Sequence, residues 1–309
     1  MKSMTRVVPR RVSCIWPLLI AALANGCDGP VAPIEPAERG ILTVFYHEMG
    51  GPDWTYSDNW LTDAPFDSWY GVETDSEGNV TGLNLADNGL KGRIPDGLGM
   101  LTTLRNLDLR GNLRDGIAGP IPPELGDLRN LERLDLRFNQ LTGSIPPQLG
   151  DLHDLGYLSL AGNYLTGAIP PEIGNLQDLD TLELWWNELS GPIPPELGNL
   201  QNLVYLVLGY NRLTGPIPPE LGNLQNLVYL LMSYNGLTGP VPGELGNIPK
   251  LRELFIDGNP LTGRLPRDLI GLPLQYFRWN DTDVCAPADD AFQEWLVSIE
   301  SREGRICSG

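Results

Sequence analysis

At 309 residues the chain has room for two ordinary domains, but its sequence repeats at a fixed interval, and a repeat array forms one elongated unit. Its net charge is −18, and −22 once the wholly basic first 27 residues are set aside. That balance excludes nucleic acid, which needs clustered cations to displace counterions. It also excludes adsorption to an anionic membrane surface, and suits the solubility of an exported protein.

The chain opens with Lys2, Arg6, Arg10 and Arg11, followed by an apolar run from Val12 to Ala24. A basic start and a short apolar stretch predict an export signal over residues 1–27; the run is too short for a membrane span. Two exits are open. Ala22-Leu23-Ala24 fits ordinary cleavage after Ala24, leaving a secreted protein. Leu23-Ala24-Asn25-Gly26-Cys27 resembles a bacterial lipobox, which implies that Cys27 is lipidated and becomes the first mature residue. The four cysteines are Cys14, Cys27, Cys285 and Cys307. Cleavage after Ala24 leaves an odd thiol at Cys27; lipidation leaves one pair, Cys285 and Cys307. The expectation is therefore a lipid anchor in the bacterial cell envelope. Residues 28–37, with Pro30, Pro33 and Pro36, read as a tether.

Residues 38–79 read as an N-terminal cap. Ile41, Leu42, Phe45 and Met49 fall on one helical face, and Gly50-Gly51 ends the helix. Trp54, Trp60 and Trp69 follow, an aromatic plug for the open end of a repeat array, or alternatively a ligand site.

From residue 80 the frame L-x-x-L-x-L-x-x-N sets asparagines at 88, 112, 139, 163, 187, 211, 235 and 259, spaced by 24 except for one interval of 27. Most are followed by L-[TS]-G-x-[IVL]-P. The segment Gly191 to Leu206, GPIPPELGNLQNLVYL, recurs letter for letter at Gly215 to Leu230. In each turn alternating leucines such as Leu206 and Leu208 make a short strand with one buried face. One turn cannot bury that face alone. Asn211 and its equivalents are placed to bond backbone groups where the chain bends, as a ladder. Pro216, Pro218 and Pro219 forbid a long helix on the return path, which must be extended or 3₁₀, with Gly215 and Gly222 at tight bends.

This pattern resembles the plant-type class of the leucine-rich repeat family over residues 80–273. The resemblance implies an α/β repeat solenoid: curved, right-handed, with a concave parallel β-sheet, a 3₁₀ or extended convex side and capped ends. It implies a partner-binding scaffold and no enzyme. Ser68-Trp69-Tyr70-Gly71-Val72 with Val80-Thr81-Gly82-Leu83 resembles the plant-type cap, except that Asp67 and Thr74 stand where that cap has cysteines. Cysteine-free caps of this kind resemble those of bacterial exported members.

The three extra residues fall within 113–118, a polar loop through Arg114 and Asp115. Past Asn259 the pattern fades. Leu274, Phe277 and Trp279 suggest a last degenerate strand, with Thr282 where an asparagine is due. Residues 274–309 read as a C-terminal cap: Phe292, Trp295, Leu296 and Ile299 form an apolar stripe on a helix beginning near Asp289, and Cys285 and Cys307 pair as a disulfide. Asp281, Asp283, Asp289 and Asp290 lack the spacing of a calcium loop and read as solvated and capping acids.

No catalytic set assembles from His47, His153 or the cysteines, no cofactor motif is present, and no metal-ligand spacing occurs. The concave carboxylates Asp108, Asp135, Glu183, Glu253 and Asp257 read as acids that solvate a sheet surface. The signal is aromatic. Residues six, four and two before each asparagine face outward, and the residue one before lies at the strand's edge. Tyr157, Tyr205 and Tyr229 stand six before, Phe255 four before, Trp185 two before, and Phe138, Trp186, Tyr210 and Tyr234 one before. The expected site is Tyr157, Glu183, Trp185, Trp186, Tyr205, Tyr210, Arg212, Tyr229, Tyr234 and Phe255. Its expected partner is a protein or peptide bound by a monomer; a glycan stacked on the aromatics is the alternative. Stacking that merely stabilises the sheet is a third reading.

Overall fold

The computed structural model describes residues 35–112 and 116–308. The export signal, Cys27, most of the tether and the polar residues 113–115 lie outside the described residues.

Helix α1 (Glu35–Glu48) starts within the stretch read as tether. It buries Leu42 and Phe45, with Met49 just beyond its end, against Trp54, Trp60, Phe66 and Trp69. The tryptophan indoles donate to the Met49, Tyr70 and Ala64 carbonyls, and the rings pack edge-on or tilted within 4.9–5.2 Å of a neighbour. They are committed to this core. Buried Glu38 accepts hydrogen bonds from the Val80 amide and the Thr103 hydroxyl, tying α1 to the first repeat strand.

Among the described residues, eleven short strands form one main sheet. The first, Val72–Thr74, runs antiparallel to Val80–Asn84, and every later pairing is parallel and in register, so that Tyr205 faces Thr181 on one side and Tyr229 on the other. The register follows from the repeat: over the repeat strands one face carries leucine at each rung, and a slip would expose the whole column. The degenerate strand is present as Tyr276–Arg278. One more, Ser301–Glu303, pairs beyond it after the chain has passed through helix α2 (Asp290–Val297), an addition that periodicity did not reveal.

The return path is both extended and 3₁₀. After the bend, segments such as Gln140–Gly143 and Arg212–Gly215 pair side by side in a second, six-stranded parallel sheet, which the sequence reading did not foresee. Segments such as Pro195–Asn199 and Pro219–Asn223 then form 3₁₀ turns with proline at their start, where its missing N–H costs nothing. Gly215 has φ +78°, the bend expected of it. Gly222 has another role: a Cβ there would sit 2.3 Å from the Glu244 carbonyl oxygen of the next turn, so glycine sets how closely turns approach.

The asparagines form a ladder of side chain to backbone bonds. The Asn211 amide donates to Leu184 O in the preceding turn at 2.9 Å and to Leu208 O in its own turn at 3.1 Å. Its oxygen accepts from the Leu189 amide of the preceding turn at 3.0 Å. Asn139, Asn163, Asn187, Asn235 and Asn259 repeat the pattern. At Thr282 a hydroxyl substitutes, donating to Trp279 O at 2.6 Å.

At the C-terminal end Phe292, Trp295, Leu296 and Ile299 are buried. Asp289 caps α2 by accepting from the Phe292 amide at 3.2 Å and pairs with Arg267 at 3.0 Å. Cys285 and Cys307, 22 residues apart, are joined as a disulfide.

Candidate binding face

The turn before each asparagine needs a left-handed residue. Asp87, Phe138, Trp186, Tyr210, Tyr234 and Asp281 have φ between 53° and 58°, and Gly111, Gly162 and Gly258 hold the same place at positive φ. Glycine adopts this conformation without strain, whereas an L-residue loses roughly 1–2 kcal/mol. Three glycines show that the turn itself asks for no side chain. Four aromatics nevertheless occupy it. Trp186, Tyr210 and Tyr234 are 58%, 50% and 45% exposed, so their rings add little to the core.

The rings are ordered by one another. Tyr210 and Tyr234 stack at 4.7 Å, Tyr205 and Tyr229 at 4.4 Å and nearly parallel, Trp185 and Trp186 at 5.7 Å; Phe138 meets Trp185 edge-on at 5.7 Å. Stacking of this kind contributes about 0.5–1.5 kcal/mol, comparable to the backbone strain it offsets. Phe255 lies beneath the Arg278 guanidinium at 4.6 Å, and Arg212 pairs with Glu188 at 3.1 Å. The Tyr234 hydroxyl is pushed above its ordinary pKa, first by the charge of Asp257.

Tyr157 and Glu183 belong to a different assembly. Asp135 is fully buried; Arg133 (2.8 Å), Arg137 (3.4 Å) and Arg110 (3.5 Å) converge on its Oδ2. Arg110 also holds buried Asp108 at 3.0 Å. Arg137 reaches Glu183 at 3.3 Å and donates to the Tyr157 hydroxyl, which donates to Glu183 at 3.0 Å. The Arg133 guanidinium covers the Tyr157 ring at 3.7 Å. The expectation that the concave acids only solvate the sheet therefore fails for Asp108, Asp135 and Asp257: arginines of the same and adjacent rungs fold over the first two, and the Ser233 hydroxyl donates to buried Asp257 at 2.5 Å. Burial raises the Asp135 pKa despite the facing Arg137. The missed residues are Arg110, Arg133 and Arg137. The alternation Arg133-Leu134-Asp135-Leu136-Arg137 sets both charges on one face and was the available signal.

A cavity of about 350 Å³ opens at the edge of the main sheet between Phe138 and Trp186, over Gly162, with Tyr164 and Glu188 at its margin. Tyr164, 55% exposed, was not among the expected residues.

A family model described as a leucine-rich repeat region matches residues 145–271, and a single leucine-rich repeat model matches residues 130–152. No curated protein matches the chain significantly. Three solved structures illustrate the likeness. The LRR ectodomain of the plant membrane receptor kinase GASSHO1/SCHENGEN3 from Arabidopsis thaliana, in complex with CASPARIAN STRIP INTEGRITY FACTOR 2, is 33% identical over 83% of this chain and 33% of its own, with a TM-score of 0.69. The plant peptide hormone receptor RGFR1, in complex with RGF2, is 30% identical over 71% of this chain and 39% of its own, with a TM-score of 0.63. A plant ice-binding protein is 26% identical over 89% of this chain and 96% of its own, with a TM-score of 0.66. The chain thus spans about a third to two-fifths of the two receptor chains. Repeat matches, the asparagine ladder and these neighbours make the chain a member of the leucine-rich repeat family, with the ectodomain of a plant receptor kinase among its structural neighbours.

Proposed function

We propose that the chain is an exported, lipid-anchored binding protein that takes a protein or peptide partner on its main sheet and along the aromatic edge from Phe138 to Tyr234. The observation that carries this reading is the choice of exposed aromatics at left-handed positions where glycine serves equally well. Backbone strain kept at exposed rings points to use by a partner, since tyrosine and tryptophan dominate interface hot spots. Two of the neighbouring structures are complexes of receptors with named partners, which supports the same mode of use. The acidic charge favours a basic partner and makes association salt-sensitive.

The test is Trp186→Ala combined with Tyr210→Ala. Each truncation should cost about 2 kcal/mol or more in binding to a captured partner. The melting temperature should fall only modestly: alanine keeps the Cβ and with it the backbone strain, so what is lost is the stacking between exposed rings, about 0.5–1.5 kcal/mol per pair. Unchanged affinity with a large fall in melting temperature sinks the proposal and leaves the rings as sheet-stabilising ladders. Selective capture of glycans, lost in the same variant, transfers the face to carbohydrate.

The anchor is proposed at Cys27, on its lipobox-like surroundings and on the pairing of the two other mature cysteines with each other. Mass spectrometry of the mature protein should find an acylated N-terminal Cys27. A chain starting at Asn25 with a free thiol rules the anchor out and leaves a secreted protein.

A further inference from the structure

The edge column reads Phe138, Gly162, Trp186, Tyr210, Tyr234, Gly258, one residue per rung. Where successive rungs both carry tyrosine, the rings stack at 4.7 Å, the strand spacing. At Gly162 a ring is missing between two others, and the cavity of about 350 Å³ lies there. A side chain on Gly162 is barred twice: its φ is +63°, and a Cβ would sit 2.4 Å from Phe138 Cδ1. The Phe138 ring leans over Gly162 and meets Trp185 edge-on at 5.7 Å, so the cavity is bounded by Phe138 on one side and Trp186 on the other. Its volume of about 350 Å³ has room for one flat side-chain ring.

The chemistry of the lining selects the guest. Asn139, Asn163 and Asn187 floor the slot, but their amides are committed inward. Asn163 Nδ2 donates to Leu136 O and Leu160 O at 3.0 Å, and its oxygen accepts from the Leu141 amide at 3.0 Å. Asn139 and Asn187 are engaged in the same way. Polar chemistry is left at the margin alone: the exposed Tyr164 and the Glu188 carboxylate, already paired with Arg212. A sugar would bring hydroxyls to a floor without free partners, and each unpaired polar group costs about 1–3 kcal/mol. A flat apolar ring loses nothing there. A cation beside that ring meets the field of an acidic chain.

We infer that this slot is a side-chain pocket for an aromatic residue of a basic partner peptide. The inference rests on the peptide-binding reading above and supplies the residue that the partner must carry.

The experiment uses the full mature chain and two sets of probes, followed by NMR of the tryptophan indole signals. The first set is N-acetyltryptophanamide, N-acetylleucinamide and methyl glucopyranoside. The second is a series of amidated Gly-Lys-Xaa-Lys-Gly peptides with Trp, Tyr, Leu or Ala at the centre. The tryptophan probe should shift the Trp186 indole and leave the indole of buried Trp69 unmoved. The aromatic peptides should bind at least tenfold more tightly than the alanine peptide. Trp186→Ala and, separately, Phe138→Ala should abolish that preference, while Met100→Ala, an exposed residue outside the proposed face, retains it. No shift at Trp186 with any probe overturns the inference, as does a glucoside that outcompetes the aromatic amide. Peptides that bind without preferring a ring overturn the slot and leave the peptide-binding face standing. An aromatic amide that seats at Trp186, when no peptide binds more tightly than the amide itself, supports the slot and overturns the peptide reading.

Discussion

Asp135 shows how far a residue's surroundings can overrule its sequence position. It stands on the outward face of its strand, yet it is fully buried beneath Arg133, Arg137 and Arg110. Burial lifts its pKa above the ordinary 3.8. Between that value and the raised native one, the folded chain still holds a proton that the unfolded chain has released. The stability due to this residue is therefore greatest below the unfolded pKa and falls as pH rises through the native one. Asparagine cannot titrate, so the stability of the parent relative to Asp135→Asn should decline from about pH 4 upward. Denaturant titrations of both proteins across that range check it; a rising difference would show that the arginines outweigh desolvation. Strand alternation made outward positions such as Tyr205 and Phe255 legible. It could not show that Asp108, Asp135 and Ser159 are covered, because exposure there depends on how far long side chains of the same and adjacent rungs reach. Nor could it give the left-handed backbone of Trp186 and Tyr210, since no aromatic announces a positive φ.

Among elements, the 3₁₀ turns make the sharpest case. Their glycines were legible as loosely conformed positions, but the cause is contact between turns. At Gly198 a Cβ would meet the Glu220 carbonyl oxygen at 2.4 Å, too close for any side chain, whereas at Gly97 nothing lies within 4 Å. Both occupy 3₁₀ turns at ordinary φ. Gly97→Ala should leave stability unchanged or raise it by about 0.4–1 kcal/mol through the unfolded chain. Gly198→Ala should instead lower it by about 1–3 kcal/mol, as overpacking does. Equal effects in chemical denaturation would show that the turns can move apart freely. The second sheet escaped the sequence because its strands lack the apolar alternation that marks the main sheet. In Gln140–Gly143 only Leu141 points inward, and backbone pairing alone makes the strand.

At the scale of the molecule, eight asparagines at a near-constant interval made the architecture legible, since only stacked turns can bury leucines so spaced. The final strand Ser301–Glu303 was not, because it carries no leucine and joins the sheet through pairing with Tyr276–Arg278. The disulfide closes a span of 22 residues around α2. By chain entropy such a closure contributes about 3 kcal/mol. In a repeat array each turn leans mainly on its neighbours, so the loss should stay local. Cys307→Ser should speed amide hydrogen exchange in the strands Tyr276–Arg278 and Ser301–Glu303 and leave the strand Asn106–Asp108 unchanged. Uniform acceleration would mean that the array melts as one cooperative block.

The asparagine ladder has a direction. The Leu189 amide is satisfied by the side chain of Asn211, 22 residues further on, and the Leu165 amide by Asn187. Each turn is thus finished by its successor. Without the next asparagine, the amide in a turn's bend has only water to answer it. Any chain shortened from its C-terminal side within the array therefore ends on a turn whose bend has lost its partner.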